Sequence, residues 1–589
     1  MNKLKFSLPL LFRKGIFAKK WVRLLVDITA SFFGLILVIL LLLLSRLSMG
    51  PINLDFLTPD VENAFKAPEI GLKASIEHTQ LVWKEWKRPF EIELVNVHLQ
   101  KDQNLDWLKI EHIGVSLRLY RLLGGDVSLK QIRLYRPHIL LEKNEKGEFS
   151  LGFGESTPNQ EFSFEEVAPL LALGGSNPAL GKLNDLSKIA IIDAHILLKD
   201  EGENQTWELP KATFVLRRQA EGFRSELTLY PRKGRGSLML GLAHRLGSSR
   251  FDVYADFRDV SFKDLIDEER PVLSLHNAKV TNFDDILNFL NHWDIPLHGS
   301  IHAAIVPSTF QLIKGSCNID FKKGELDLSL AKLLPLPIES GNLSLEFSLN
   351  EIVINNASLL SDKMYLDFSG KLNSSLSPLI LTKLMGPGQT LELQGSIENL
   401  FLDHLGALWP EDLAPHPRKW LSQNLRTGIL NKGTFSLSGH GGEKGFVIDD
   451  LKGILEGEGA EVTYLEGLPP AQKVNAEATF DQKGFDIKVL SGEVERVQLQ
   501  EGHIVISGLD GDKEALSLHV KAKGPLSDVL DILNHKPLEY ASYAGIDPRK
   551  TKGEGNVDMN VNFPLLTDLQ FKDVKMAFKG AFKNVALDR

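Results

Sequence analysis

Five places in this sequence bring together residue types that could do chemistry. "GGSNPALGKL" (Gly174–Leu183) has the glycines and the lysine of a phosphate-cradling loop. Such a loop needs four residues between its glycines and a Ser or Thr after the lysine, because backbone N–H groups and a hydroxyl must converge on the phosphates and their Mg²⁺. Here five residues separate Gly175 from Gly181, and Leu183 follows Lys182, so the stretch reads as a turn. "HGSIH" sets His298 and His302 four apart, on one face of either a strand or a helix. Zinc wants three or four ligands, and the sequence offers neither a His-Glu-x-x-His helix nor a cysteine pair. "GHGG" (Gly439–Gly442) resembles part of an oxyanion hole, with no Gly-x-Ser-x-Gly elbow for it to serve. The acidic pairs Asp284-Asp285 and Asp449-Asp450 would suit a glycosidase only if distant carboxylates met across a cleft; as loop residues they are simply solvated. No catalytic constellation, metal site or cofactor site is expected, and the chain reads as a non-enzyme.

The elements that would position any site begin with an apolar helix. Ile28–Ser45 ("ITASFFGLILVILLLLLS") carries no charge and is just long enough to cross ~30 Å of hydrocarbon. Lys3, Lys5, Arg13, Lys14, Lys19, Lys20 and Arg23 precede it, with no acidic residue before Asp27. That asymmetry keeps the N-terminus cytoplasmic and places everything past about Met49 outside. "LLLLSRLSMGP" lacks the small residues of a signal-peptidase site, so the segment is expected to remain as an anchor. The chain carries a net −9 although its first 26 residues are basic, so the exported body is strongly acidic. An acidic body has no electrostatic footprint for nucleic acid. With Cys317 the single cysteine among 589 residues, no intramolecular disulfide can form, and burial and backbone hydrogen bonds must hold the exported part together.

Beyond the anchor the dominant period is two. Ile113, Val115, Leu117 and Leu119 share one face of a strand, as do Leu343, Leu345, Phe347 and Leu349, then Leu516, Leu518, Val520 and Ala522, and finally Val557, Met559, Val561 and Phe563. Polar residues alternate with them, which argues for antiparallel strands with one apolar and one wet face. In "RLLGGDVSLKQIRLYRPHILLEKNEKGEF" the parity slips: Val127 and Leu129 share one, Ile132 and Leu134 the other. A bulge or bend must absorb that slip. Pro137 cannot donate to a ladder, so two strands jointed near Arg136-Pro137 are expected. Helical spacing is confined to Asn282–Trp293, Pro415–Leu425 and Leu526–His535, each followed by a glycine and an alternating strand. Gly154–Lys182, rich in Gly, Pro, Ser and Asn, reads as a linker. The expected organisation is a basic cytoplasmic segment (1–23), a transmembrane anchor (24–47), an N-terminal β module (48–153), a linker (154–185), a middle β module (186–400) and a β module with helical insertions (401–589).

The chain resembles the AsmA-like superfamily of bacterial envelope proteins, and within it the YhdP-like branch, relatives of TamB. "LTPDVENAF" and "LVWKEWKRPFEIELVNVHL" resemble the family's entry, and the Leu-Leu-x-Gly turn, strand-Pro and x-x-Gly-x-Phe pattern of Val115–Phe149 follows it. "IAIIDAHILLKDEGENQTWELPKATFVLRR" is similar to its Asp turn and Trp-x-Leu strand. "LGALWPEDLAPHPRKWLSQNLRTGIL" is close to the Trp-Pro, Arg-x-Trp, Gly signature of the YhdP-like branch, and Ala460–Phe563 is a looser match. Membership implies a mainly β protein whose long, curled, antiparallel sheet forms an elongated open groove, a taco-like rod. It implies an anchor in the inner membrane, a body in the periplasm, and phospholipid carried toward the outer membrane with its acyl chains on the apolar groove. The lining expected is Ile113, Val115, Leu117, Leu119, Val127, Leu129, Leu343, Leu345, Phe347, Val557, Met559 and Val561. The partners implied are phospholipid, the inner membrane and a protein of the outer membrane or periplasm. The rival reading is an envelope assembly factor whose strands close into sandwiches and bind outer-membrane proteins or cell wall. Members of this branch run longer, so the chain is expected to be a short member or a truncated one.

Overall fold

The computed structural model of the chain describes residues 14–66, 72–84, 90–101, 105–118, 121, 124–144, 149–153, 183–200, 205–219, 221–231, 236–261, 295–306, 311–326, 335–374, 387–409, 415–442, 445–465, 467–509, 511, 514–536, 538–565 and 573–587. The expected linker 154–182, the expected helix 282–293, Asp284, Asp285 and Leu119 lie outside them.

Helix α1 (Lys14–Ser48) contains the apolar stretch Arg23–Ser48, with mean hydropathy 2.7 and no buried residues across its apolar window. At ~1.5 Å per residue this stretch measures about 39 Å, more than the ~30 Å of a hydrocarbon core. Among the described residues it is the one helix long and apolar enough to cross a membrane.

The rest is mainly β and divides into two compact units, residues 1–197 with 212–224, and 198–211 with 225–589. The first unit contains β1 (Ile52–Asn53), α2 (Thr58–Phe65), β2 (Leu72–Val82), β3 (Glu91–Lys101), β4 (Leu105–Leu117), β5 (Leu129–Tyr135), β6 (His138–Lys143), β7 (Phe149–Phe153) and most of β8 (Lys188–Asp200). β2 to β5 form an antiparallel run, with Leu94 opposite Ile113 and Ile113 opposite Leu134. The parity slip is taken up where Ser116 pairs Gln131 but Leu117 pairs Leu129, leaving Lys130 as the extra residue. Thus Leu129, Ile132 and Leu134 all reach the same face despite their spacing.

The expected joint falls at Arg136, whose φ is +49°, between β5 and β6. There the fold departs from pure antiparallel pairing. β8 runs parallel to β5, with Ile132 opposite Ile189 and Leu134 opposite Ile191. Past the bend the Pro137 carbonyl accepts a hydrogen bond from the His195 N–H at 3.0 Å. A residue that cannot donate to a ladder still accepts from one, so Pro137 ends β5 without ending the pairing.

β9 (Gln205–Gln219) and β10 (Gly222–Tyr230) follow. The second unit then runs through β11 (Ser237–Arg245), β12 (Phe251–Val260), β13 (Leu297–Val306), β14 (Gln311–Phe321), a small hairpin of β15 (Gly324–Leu326) and β16 (Leu336–Ile338), β17 (Ser340–Ser348), β18 (Glu351–Ser361), β19 (Met364–Ser374) and β20 (Gln389–Phe401). Helices α3 (Leu405–Leu408) and α4 (Pro415–Asn424) come next, then β21 (Leu425–Arg426), β22 (Ile429–Gly442), β23 (Gly445–Val462), β24 (Ala471–Asp481), β25 (Gly484–Val494), β26 (Val497–Ser507) and β27 (Ala515–Pro525). Helices α5 (Leu526–Ile532) and α6 (Tyr540–Tyr543) precede β28 (Thr551–Pro564) and β29 (Lys575–Leu587). Apart from the small hairpin and β21, each strand from β11 to β29 pairs antiparallel with the next. Asp259 (φ +53°) is the single extra residue where the register of β12 on β13 shifts, and Asp tolerates that conformation better than most.

Candidate functional site

The register of the second unit joins the apolar positions of successive strands into rows. Starting from Leu238, cross-strand partners run Phe257, Gly299, Ile319, Leu343, Ala357, Phe368 and Gly395. The row continues through Phe435, Gly453, Phe480, Phe485, Ile506 and Leu516 to Phe563. No polar side chain interrupts it across fifteen strands. The opposite face is hydrogen-bonded and wet: Ser344 Oγ donates to Asn318 Oδ1 at 2.7 Å, Asn342 Nδ2 to Asp320 Oδ1 at 2.9 Å, and Lys521 Nζ to Glu501 Oε2 at 2.6 Å.

Burial on the apolar face is uneven, and this is its informative property. Along one rim the strand ends are closed by helices. Leu400 and Leu430 pack with Leu402, Leu405 and Leu408, while Val497, Ala522 and Val529 pack with Ile532 and Leu533 of the α5 region. Ala460, Ala471, Val474 and Val494 form a third buried cluster on that rim. Toward the other rim Phe480, Phe485, Ile506, Leu516 and Phe563 are only half-buried. The first two rings stack there, with centroids 5.6 Å apart. A sandwich core would bury such positions fully, because interiors close-pack. Half-exposure of large apolar side chains over this many strands is an apolar patch of the kind that marks a binding surface.

Glycines cluster on the same face. A Cβ on Gly453 would lie 2.5 Å from the Phe480 ring, one on Gly439 2.3 Å from Phe446, and one on Gly315 2.3 Å from Phe347. The rings therefore lie down over glycine backbone instead of standing into the space above, which keeps the surface low. Cys317 shares this face, and burial pushes its thiol up to about 11.

The residues singled out from the sequence divide between the two units. Leu343, Leu345 and Phe347 on β17 and Val557 and Met559 on β28 are half-buried on the apolar face, and Val561 beside them is buried. In the first unit Ile113, Val115, Val127 and Leu129 are 0–4% exposed, in a core shared with Val61, Ala64 and Phe65 of α2. Leu117 is half-buried at the margin of that core. Helix α2 was missed, although "TPDVENAF" carries its signals: proline in the first turn and apolar residues at i, i+3 and i+4.

The reverse side of the first sheet holds a buried ionic group that alternation alone did not reveal. Arg133 Nη1 donates to Glu91 Oε1 at 2.7 Å, and Tyr135 Oη donates to Glu91 Oε2 at 2.8 Å. Gly114 makes room for it, since a Cβ there would meet Glu91 Oε1 at 2.4 Å.

The positions first weighed for chemistry are occupied otherwise. His298 faces Asp259 at 3.0 Å and His302 stacks on Tyr254 with centroids 6.1 Å apart. Asp449 faces His440 at 2.8 Å, and Asp450 faces Lys452 at 3.1 Å. Among the described residues no three His, Cys, Asp or Glu converge to hold a metal ion.

Residues 308–583, which hold most of the open apolar face, match the family model described as YhdP protein. No curated protein matches the chain.

Proposed function

We propose that this chain, of the YhdP family by its match over residues 308–583, carries phospholipid across the periplasm toward the outer membrane and so supports the outer-membrane barrier. Membership points to a role in the bacterial envelope. Helix α1 is the inner-membrane anchor, with its basic N-terminal flank in the cytoplasm and the β units in the periplasm. Acyl chains lie on the apolar face of the second unit, against Leu343, Leu345, Phe347, Val557, Met559 and Val561, while head groups stay in water beyond the open rim.

One observation carries this reading: an unbroken apolar row over fifteen strands, buried at Leu238, Phe257 and Ile319 but with its large side chains half-exposed from Leu343 on β17 to Phe563 on β28. Removing an acyl chain from water is worth ~0.8 kcal/mol per CH₂. A surface that stays apolar from strand to strand lets a chain slide without crossing a polar step. Nothing in such a mechanism calls for covalent chemistry. The face is also the glycine-bearing one, which suits the inner side of a curled sheet, where side chains converge.

The test uses the full chain in phosphatidylethanolamine–phosphatidylglycerol vesicles doped with a phospholipid carrying a photoactivatable group in its acyl chain. Adducts mapped to β17, β27 and β28 at apolar-face positions are the expected result. Labelling confined to α1 would sink the reading and favour an assembly factor that binds protein.

A further inference from the structure

The apolar faces of the two units differ in what covers them. In the second unit the face is buried around Phe257 and Ile319 but half-exposed along the row from Leu343 to Phe563. In the first, the corresponding residues Leu94, Ile113, Val115 and Leu129 are sealed, and α2 takes part in sealing them with Val61, Ala64 and Phe65, which are 0%, 0% and 3% exposed. α2 follows α1 after a short link and a two-residue strand, so the sealing element sits in the chain directly after the membrane helix.

We propose that α2 is a displaceable plug over an acyl-chain entry site in the first unit, and that a lipid chain takes its place on Ile113, Val115 and Leu129. The inference rests on the lipid-carrying reading above. Three features support it. The plug is only eight residues long, too short to hold a helix by itself, so its order comes from the face it covers. Its contacts to that face are apolar and non-directional, of the kind an acyl chain can replace. Its polar fastenings are few, one at its first residue, one at its middle and one just before it: Thr58 Oγ1 meets Thr79 Oγ1 at 2.7 Å, Glu62 Oε1 accepts the Ile76 N–H at 2.8 Å, and Asp55 Oδ1 accepts the Thr79 N–H at 2.9 Å. Thr79 is the partner of Leu94 across the ladder, on the apolar face, and is fully buried beneath this contact. The fastenings therefore key α2 to one position, from which it can be released as a unit.

The two threonine oxygens are close enough for cysteines in their place to form a disulfide, and the native Cys317 belongs to the other unit. The full chain carrying Thr58→Cys and Thr79→Cys, with a photo-crosslinking residue at Leu117, is reconstituted in phosphatidylethanolamine–phosphatidylglycerol vesicles. Reduced protein is expected to give lipid adducts at Leu117, oxidised protein to lose them, and added reductant to restore them. Phe65→Ala in the unlocked chain should raise the yield. Equal adducts in the oxidised and reduced states would overturn the plug, as would none at Leu117 in either state while a crosslinker at Leu345 labels. No lipid adduct at Leu345 overturns the lipid-carrying reading itself, and the plug with it.

Discussion

The ring of Phe347 on β17 occupies the space a side chain at Gly315 on β14 would need: a Cβ there would stand 2.3 Å from the ring's Cζ. The two are direct cross-strand partners on the apolar face. An aromatic ring laid over a glycine shields backbone hydrogen bonds and keeps the surface above it clear.

Gly315→Ala should therefore force the ring upward and cost ~1–3 kcal/mol, the usual range for overpacking. Phe347→Ala in the same chain should recover part of that loss, because the clash is with the ring as well as with the His302 carbonyl 2.6 Å away. Urea denaturation of the two single variants and the double variant measures the coupling. Strict additivity would show that the ring does not lie on the glycine.

Met559→Asp and Ile113→Asp separate an open face from a closed core. Met559 is half-buried between Val520 and Phe578, so its carboxylate can reach water, and a cost within ~2 kcal/mol is expected. Ile113 is 1% exposed in the core it shares with Val61 and Phe65 of α2, and a charge there should cost more than ~4 kcal/mol or unfold the first unit. Thermal unfolding of both variants checks the contrast. Met559→Asp should also stop lipid passage in a chain that remains folded.

Acid should loosen the first unit through Glu93. Burial works to raise this carboxyl, but hydrogen bonds from Lys84 Nζ at 2.7 Å and Gln80 Nε2 at 2.9 Å outweigh it and hold it below the usual 4.5. A carboxyl depressed in the folded state adds stability above its unfolded value and loses it as pH falls through the folded value. Glu93→Gln should lower the melting temperature at pH 7, by a difference that shrinks as pH falls through the folded value below 4.5. A difference that persists unchanged in acid would rule out the ionic contribution.

Cys317 reports on its own surroundings. With its thiol pushed up to about 11 by burial, little thiolate exists at neutral pH. Maleimide labelling at pH 7 should be slow in the native chain and fast in urea. Rapid native labelling would mean that this part of the face is wetter than its burial indicates.

How far the fold could be read in advance depended on how local each determinant is. Period-two alternation is local, and it assigned Leu343, Leu345 and Phe347, and Val557, Met559 and Val561, to single faces that the ladder then joined. The slip after Leu129 and the joint at Pro137 were legible for the same reason, since a parity change and a missing N–H are written in a few residues. What covers a face is not local. Alternation marks Ile113 and Leu345 alike, yet one is sealed in a core and the other stays half-exposed, because the cover comes from distant segments, Val61 and Phe65 some fifty residues earlier and Leu183, Leu186 and Leu216 far beyond. The parallel β5–β8 pair joins strands more than fifty residues apart, and no spacing within either foretells it. The Glu91–Arg133 pair was hidden likewise, since charged residues at alternate positions read as a wet face until their burial is seen.

The most direct test of the central claim is in living cells, with single photo-crosslinking residues at Leu345 and Leu518 on the apolar face and at Glu346 and His519 on the other. The two pairs are neighbours in sequence and differ in the face they occupy. Phospholipid adducts at Leu345 and Leu518, and none at Glu346 and His519, are the outcome a lipid-carrying face requires. Adducts at neither pair in a folded chain, or equally at both, would contradict it.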